Sequence, residues 1–75
     1  MFENLTQLDM ETVIEFANNN NMDVSKTERQ LFLSRSAAVY HLEKVKTQTG
    51  LDPLNFYDLI QLLKLFGEDI FKKKG

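Results

Sequence analysis

The residues best suited to chemistry lie between Ser34 and Lys46. Ser34-Arg35-Ser36 opens a helical pattern, and Val39, Tyr40, His41, Lys44 and Lys46 follow along it. Arginine carries a planar fork of N–H donors that matches a guanine edge or a phosphate. Hydroxyls at a helix start sit beside free backbone N–H groups, where anions are attracted. Capping alone accounts for Ser34, whereas Ser36 suits a phosphate and water equally. Val39, β-branched and on the expected outer side, fits a thymine methyl or a protein partner. Tyr40 suits a sugar-phosphate edge through its hydroxyl, or partial burial against the preceding helix. His41 is the only histidine; it belongs at the core edge or near a phosphate. Lys26, Arg29, Lys44 and Lys46 can neutralise phosphates, although each alone reads as an ordinary surface charge.

Other chemistries lack their reagents. The chain has no cysteine, and one imidazole without thiolates makes no zinc site. No Ser-His-Asp spacing, carboxylate pair or glycine-rich phosphate loop is visible. Met1, Met10 and Met22 form no cofactor box, and Met10 reads as core filling. Neither an enzyme nor a cofactor, metal or small-molecule substrate is expected.

The charge is distributed unevenly. The net charge of −2 is unfavourable for a nucleic-acid binder, which is usually basic. Between Val24 and Gly50, however, Lys26, Arg29, Arg35, Lys44 and Lys46 face only Glu28 and Glu43. The middle is mildly basic and the flanks are acidic. A chain of 75 residues allows one domain with a thin core, marginal unless its helices pack well or it pairs with a copy. No apolar run approaches membrane-spanning length, and no basic-then-apolar leader opens the chain. Together with the missing cysteine, this points to the cytoplasm.

Four helices must position these residues. Asp9 serves as the first N-cap, with Thr6 as the alternative one turn earlier; Met10, Val13, Ile14 and Ala17 follow at helical spacing. The asparagine run at 18–21 ends that helix. Ser25-x-x-Glu28 matches a capping box, preceded by Val24 as a staple. The second helix, Lys26 to Leu31, turns Thr27 and Leu31 inward, while Phe32 and Leu33 plug the junction with the third. Ser34 caps that third helix; Ala38, Leu42, Val45 and Thr49 form its apolar stripe, and Gly50 ends it. Pro53 breaks the chain and Asn55 caps a leucine-rich fourth helix. Ile70 and Phe71 extend its Leu59, Leu63, Phe66 row, so it is expected to run past Gly67 or to add a fifth helix. Three small helices are too few to cover so wide an apolar surface. Leu59, Leu62, Leu63, Phe66 and Ile70 are therefore the expected seam with another copy or a further domain. The core is expected to span about residues 9–66, with residues 72–75, three lysines and a glycine, as a flexible tail.

Leu31-Phe32-Leu33-Ser34-Arg35, Tyr40-x-Leu42-Glu43-Lys44 and Thr49-Gly50-Leu51-Asp52 are the most specific part of a wider pattern. With ETVIEF ahead and a leucine-rich helix behind, residues 9–66 resemble the C-terminal domain of PucR-type and sugar-diacid-type bacterial transcriptional regulators. The resemblance implies an all-α, Fis-like helix-turn-helix fold whose third helix, about 34–49, enters the major groove of double-stranded DNA. It implies an upstream sensor domain, and a homodimer, expected from the apolar surface of the fourth helix, suits a reader of two half-sites. Arg35 and Tyr40 match the family pattern. Ser34 stands in place of its histidine, Ser36 of its asparagine, Ala37 of its threonine, and Val39 and His41 of two arginines. Glu28 stands where a small alanine is usual. The competing expectation is a helical protein-interaction or dimerisation module that keeps the scaffold and has lost DNA binding.

Overall fold

The computed structural model describes residues 4–18 and 22–67. They form four helices and, among the described residues, no strand: α1 (Gln7–Asn18), α2 (Val24–Leu31), α3 (Arg35–Thr49) and α4 (Phe56–Leu65). The expected all-α class is found. The lysine tail, Ile70 and Phe71 lie outside the described residues.

Local hydrogen bonds explain where each helix starts. The α1 start is the earlier of the two expected: the Thr6 N–H donates to Asp9 Oδ2 at 2.8 Å and the Asp9 N–H to Thr6 Oγ1 at 3.1 Å. This reciprocal pair is a capping box, with Asp9 inside the first turn rather than at the cap. The second capping box does not form. Asp23 caps α2, its Oδ1 accepting the Lys26 N–H at 3.1 Å, and Val24 becomes the first helical residue. With the cap two residues upstream, Ser25 falls inside the first turn and its hydroxyl accepts from Arg35 instead. Ser34 and Asn55 cap α3 and α4 as expected, accepting from Ala37 and Asp58 at 3.1 Å each. Gly50, in the left-handed region at φ 77°, ends α3, its N–H bonding the Lys46 carbonyl. The fourth helix stops at Leu65, before Gly67.

The α2–α3 corner is three residues, Phe32 to Ser34. Phe32 takes the left-handed conformation (φ 55°); its N–H bonds Arg29 O and the Leu33 N–H bonds Glu28 O, the paired pattern of a Schellman end. Phe32 does not plug the junction. It is 94% exposed, and only Leu33 is half-buried. A left-handed position aims Cβ away from the helix it terminates and is unfavourable for a non-glycine residue by about 1 kcal/mol. Phe32→Gly is therefore expected to stabilise the fold by roughly 0.5 kcal/mol, raising Tm by a few degrees. Thermal unfolding followed by circular dichroism measures this; a lower Tm would mean the ring makes contacts that hold the corner.

Helix α1 packs against each of the other three helices, and α2 packs on α3. Val13, Phe16 and Ala17 of α1 meet Leu42 and Val45 of α3 and Leu59, Leu62 and Leu63 of α4 in one core, with Leu5 at its edge. Leu59, Leu62 and Leu63 are fully buried within the monomer, so they cannot form the expected seam between copies. The shortage of cover was overestimated because α1 serves three neighbours at once, and half-buried Met10, Ile14, Leu51 and Phe66 complete the packing. Phe66 is partly covered by that core, and Ile70 is not among the described residues.

Candidate nucleic-acid interface

Helix α3 has two opposed rows. Ala38, Leu42 and Val45, spaced +4, +3, are buried, while Ser36, Tyr40, Glu43 and Thr47, spaced +4, +3, +4, are exposed. The outward row thus carries one charge, and it is negative. Cations flank the row, and their partners decide which are free to meet a phosphate.

Arg35 stands in the first turn of α3, its side chain 62% exposed. It is not unattached. Nη2 donates to Ser25 Oγ at 2.8 Å, and Nε contacts the Glu28 carboxylate. Ser25 and Glu28, expected as a capping pair, instead join α2 to α3 through this guanidinium. Ser34 Oγ is engaged as the cap, whereas Ser36 is exposed. Tyr40 is 58% exposed, its ring edge-on to His41 with centroids 5.3 Å apart. Val39, at 37% exposure, borders an apolar cavity of about 110 Å³ with Val24, Leu42, Pro53 and Leu54. Lys46 is exposed on the rim of that cavity, 3.8 Å from Asp52. Lys26 and Arg29 project from α2, exposed and without an ion pair among the described residues.

Two expected contacts turn the other way. His41 and Lys44 face α1, where Asp9 lies with its side chain 1% exposed. His41 Nδ1 is 2.5 Å from Asp9 Oδ1, and Lys44 Nζ is 2.9 Å from Oδ2. An ionised carboxylate only accepts, so Nδ1 carries the hydrogen. Of the two places open to the histidine, the core edge is the one it takes. The physical reason is the buried acid: it must be met by donors, and α3 is the neighbouring helix that supplies them. Burial alone would raise the Asp9 pKa. The Thr6 amide, His41, Lys44 and the Thr6 hydroxyl outweigh it and hold the group at about 2, against an ordinary 3.8. The hydrogen bond to Asp9 in turn raises the Lys44 ammonium above its usual value.

Sequence reading missed Asp9 as the acceptor that ties α1 to α3. Thr6-x-x-Asp9 was a legible capping box, but no local signal marks partners 32 and 35 residues away. Among the described residues no group of histidine and carboxylate side chains could hold a metal ion, and no helix is long and apolar enough to cross a membrane. No protein-family model matches the chain, and neither does any curated protein or solved structure.

Proposed function

We propose that this chain is a helix-turn-helix domain that binds double-stranded DNA as part of a bacterial transcriptional regulator of the PucR or sugar-diacid type, with α3 in the major groove. The observation that carries this reading is the placement of Arg35. It stands at the exposed first turn of the helix that follows a three-residue corner, where a recognition helix contacts base edges. Ser36 and Tyr40 stand on the outward row that Arg35 flanks. Lys26 and Arg29 supply cations on the flanking helix that have no ion pair among the described residues, suited to the phosphate backbone. With His41 and Lys44 occupied by Asp9, the interface is reduced to Ser34, Arg35, Ser36, Val39, Tyr40, Lys46, Lys26 and Arg29. So few cations make a weak module, and linkage to a second copy or a sensor domain would raise its affinity.

A fluorescence titration with random-sequence duplex at low salt tests the reading. Binding is expected, weakening steeply as salt rises. Lys26→Ala or Arg29→Ala should each lower the log–log salt slope by about 0.9 if the side chain neutralises one phosphate. Absence of binding at low salt, for the free chain and for a tandem-linked copy, would sink the reading.

A second reading is a protein-docking module on the same scaffold. It is favoured by the neutral-to-acidic outward row of α3 and by the cavity beside Val39, which is the size of a small aliphatic side chain. The titration that removes the first reading would leave this one standing.

A further inference from the structure

We propose that Glu28 and Ser25 are positioning residues that pre-orient Arg35 to read a guanine edge rather than to neutralise a phosphate; the inference rests on the DNA-binding reading above. The geometry of the guanidinium carries it. Ser25 and Glu28, both on α2, take the side of the fork formed by Nη2 and Nε. The remaining end of the fork is Nη1 with the second hydrogen of Nη2. It has no partner among the described residues, and the side chain is 62% exposed.

That free end is the pair of parallel donors that fits guanine O6 and N7 in the major groove. An unrestrained arginine loses much rotamer freedom when it binds, whereas one already held from the helix beside it loses little. Glu28 is the firmer half of the pair, its side chain only 20% exposed.

The charge of Glu28 also selects the target. A phosphate approaching Arg35 meets a guanidinium already neutralised by a carboxylate, so Coulombic attraction is largely cancelled. A base edge is uncharged and needs only donors, which remain. The same acid thus weakens a phosphate contact and leaves a base contact intact.

The test uses the intact chain and a pool of duplexes with a randomised core. Wild type, Arg35→Ala, Glu28→Ala and Glu28→Gln are each put through selection, and affinity is measured for the selected and the unselected pool. Wild type is expected to enrich sites sharing one fixed guanine, a preference that Arg35→Ala abolishes. Glu28→Ala should lower that preference on the order of tenfold, the discrimination one bidentate contact supplies. Its affinity for the unselected pool should be unchanged or higher, because a negative charge has been removed. Glu28→Gln keeps the shape of the side chain without its charge, and because the contact with Nε is an ion pair it should retain a preference between those of wild type and Glu28→Ala. Ser25→Ala gives an independent version of the test if Glu28→Ala does not fold, with a several-fold loss expected.

A Glu28→Ala protein that keeps the full preference, or that loses affinity for both pools in step, overturns the proposal. So does a wild type that binds the pool without enriching a guanine. A wild type that binds no duplex at all removes the DNA-binding reading itself, a result visible before any variant is compared.

Discussion

Leu63→Glu is expected to leave the chain unfolded at room temperature, whatever the protein concentration. Leu63 is fully buried on α4 among core side chains from α1 and α3. The substitution removes a buried aliphatic group, a loss of about 2–5 kcal/mol. It also puts a carboxylate where no donor awaits it, which adds several kcal/mol or forces the group to stay protonated. A domain of this length is stable by only roughly 4–11 kcal/mol, so the combined effect consumes most or all of it. Far-UV circular dichroism should show the helical signal lost. Leu65→Glu, two residues along and already half exposed, should leave that signal intact. The contrast separates a core from a seam between copies, because charging a seam gives a folded monomer. A folded Leu63→Glu monomer would show that the α4 leucines are not core residues.

What could be read from the sequence was mostly what one turn of helix decides. Ser34, Asn55 and Gly50 each satisfy backbone groups within four residues of themselves, and their roles are found where their types place them. The Ala38, Leu42, Val45 stripe is legible for the same reason, since helical periodicity is local. The α2 cap was misplaced because Asp23 and Ser25 are both good caps two residues apart. Spacing from the apolar residues does not choose between them. Phe32 was misplaced because its type says core while the Schellman end of α2 demands a left-handed residue, and backbone geometry prevailed. The α4 leucines were misassigned by counting apolar surface without knowing which helix would cover it. That depends on α1 lying against all its neighbours, a tertiary fact.

The candidate interface follows the same division. Arg35, Ser36 and Tyr40 are exposed as the helical pattern requires. Which cations remain free could not be read from their types, because it depends on acids brought in from other helices. Asp9 takes Lys44 and His41, while Glu28 takes Arg35 from the side and leaves its end open. Counting basic residues along the middle of the chain therefore overstates the charge α3 can offer a phosphate. On the DNA-binding reading proposed above, what remains is a face that would rely on precise donors more than on bulk charge. Specificity in such a face would come from few contacts, each correspondingly large.

Asp9→Ala is the second large effect, an expected loss of about 3 kcal/mol. It leaves Lys44 and the His41 ring without their acceptor, a loss smaller than that of a fully buried ion pair because both side chains reach solvent. It also releases the Thr6 N–H, the loss of a capping contact being about 1 kcal/mol. The two overlap in one carboxylate and are not additive, and the partial exposure of Lys44 lowers the first. Tm should fall by roughly 10–20 °C. The sign of the pH dependence follows from the depressed pKa. Asp9 is held at about 2 in the fold against 3.8 ordinarily. Its contribution is therefore complete above about pH 4, and is lost as acid carries the pH down from 3.8 through 2. That contribution is on the order of 2 kcal/mol. Asp9→Asn keeps an acceptor for Thr6 but has no charge to titrate, so its stability should lack this acid-dependent component. Urea titrations of wild type and Asp9→Asn between about pH 2 and pH 6 should give a constant difference at the upper end that closes towards the lower. Parallel loss of stability in both proteins would mean that Asp9 is not the group being protonated. The α1–α3 clamp, and with it the orientation of the outward row, would then need another anchor.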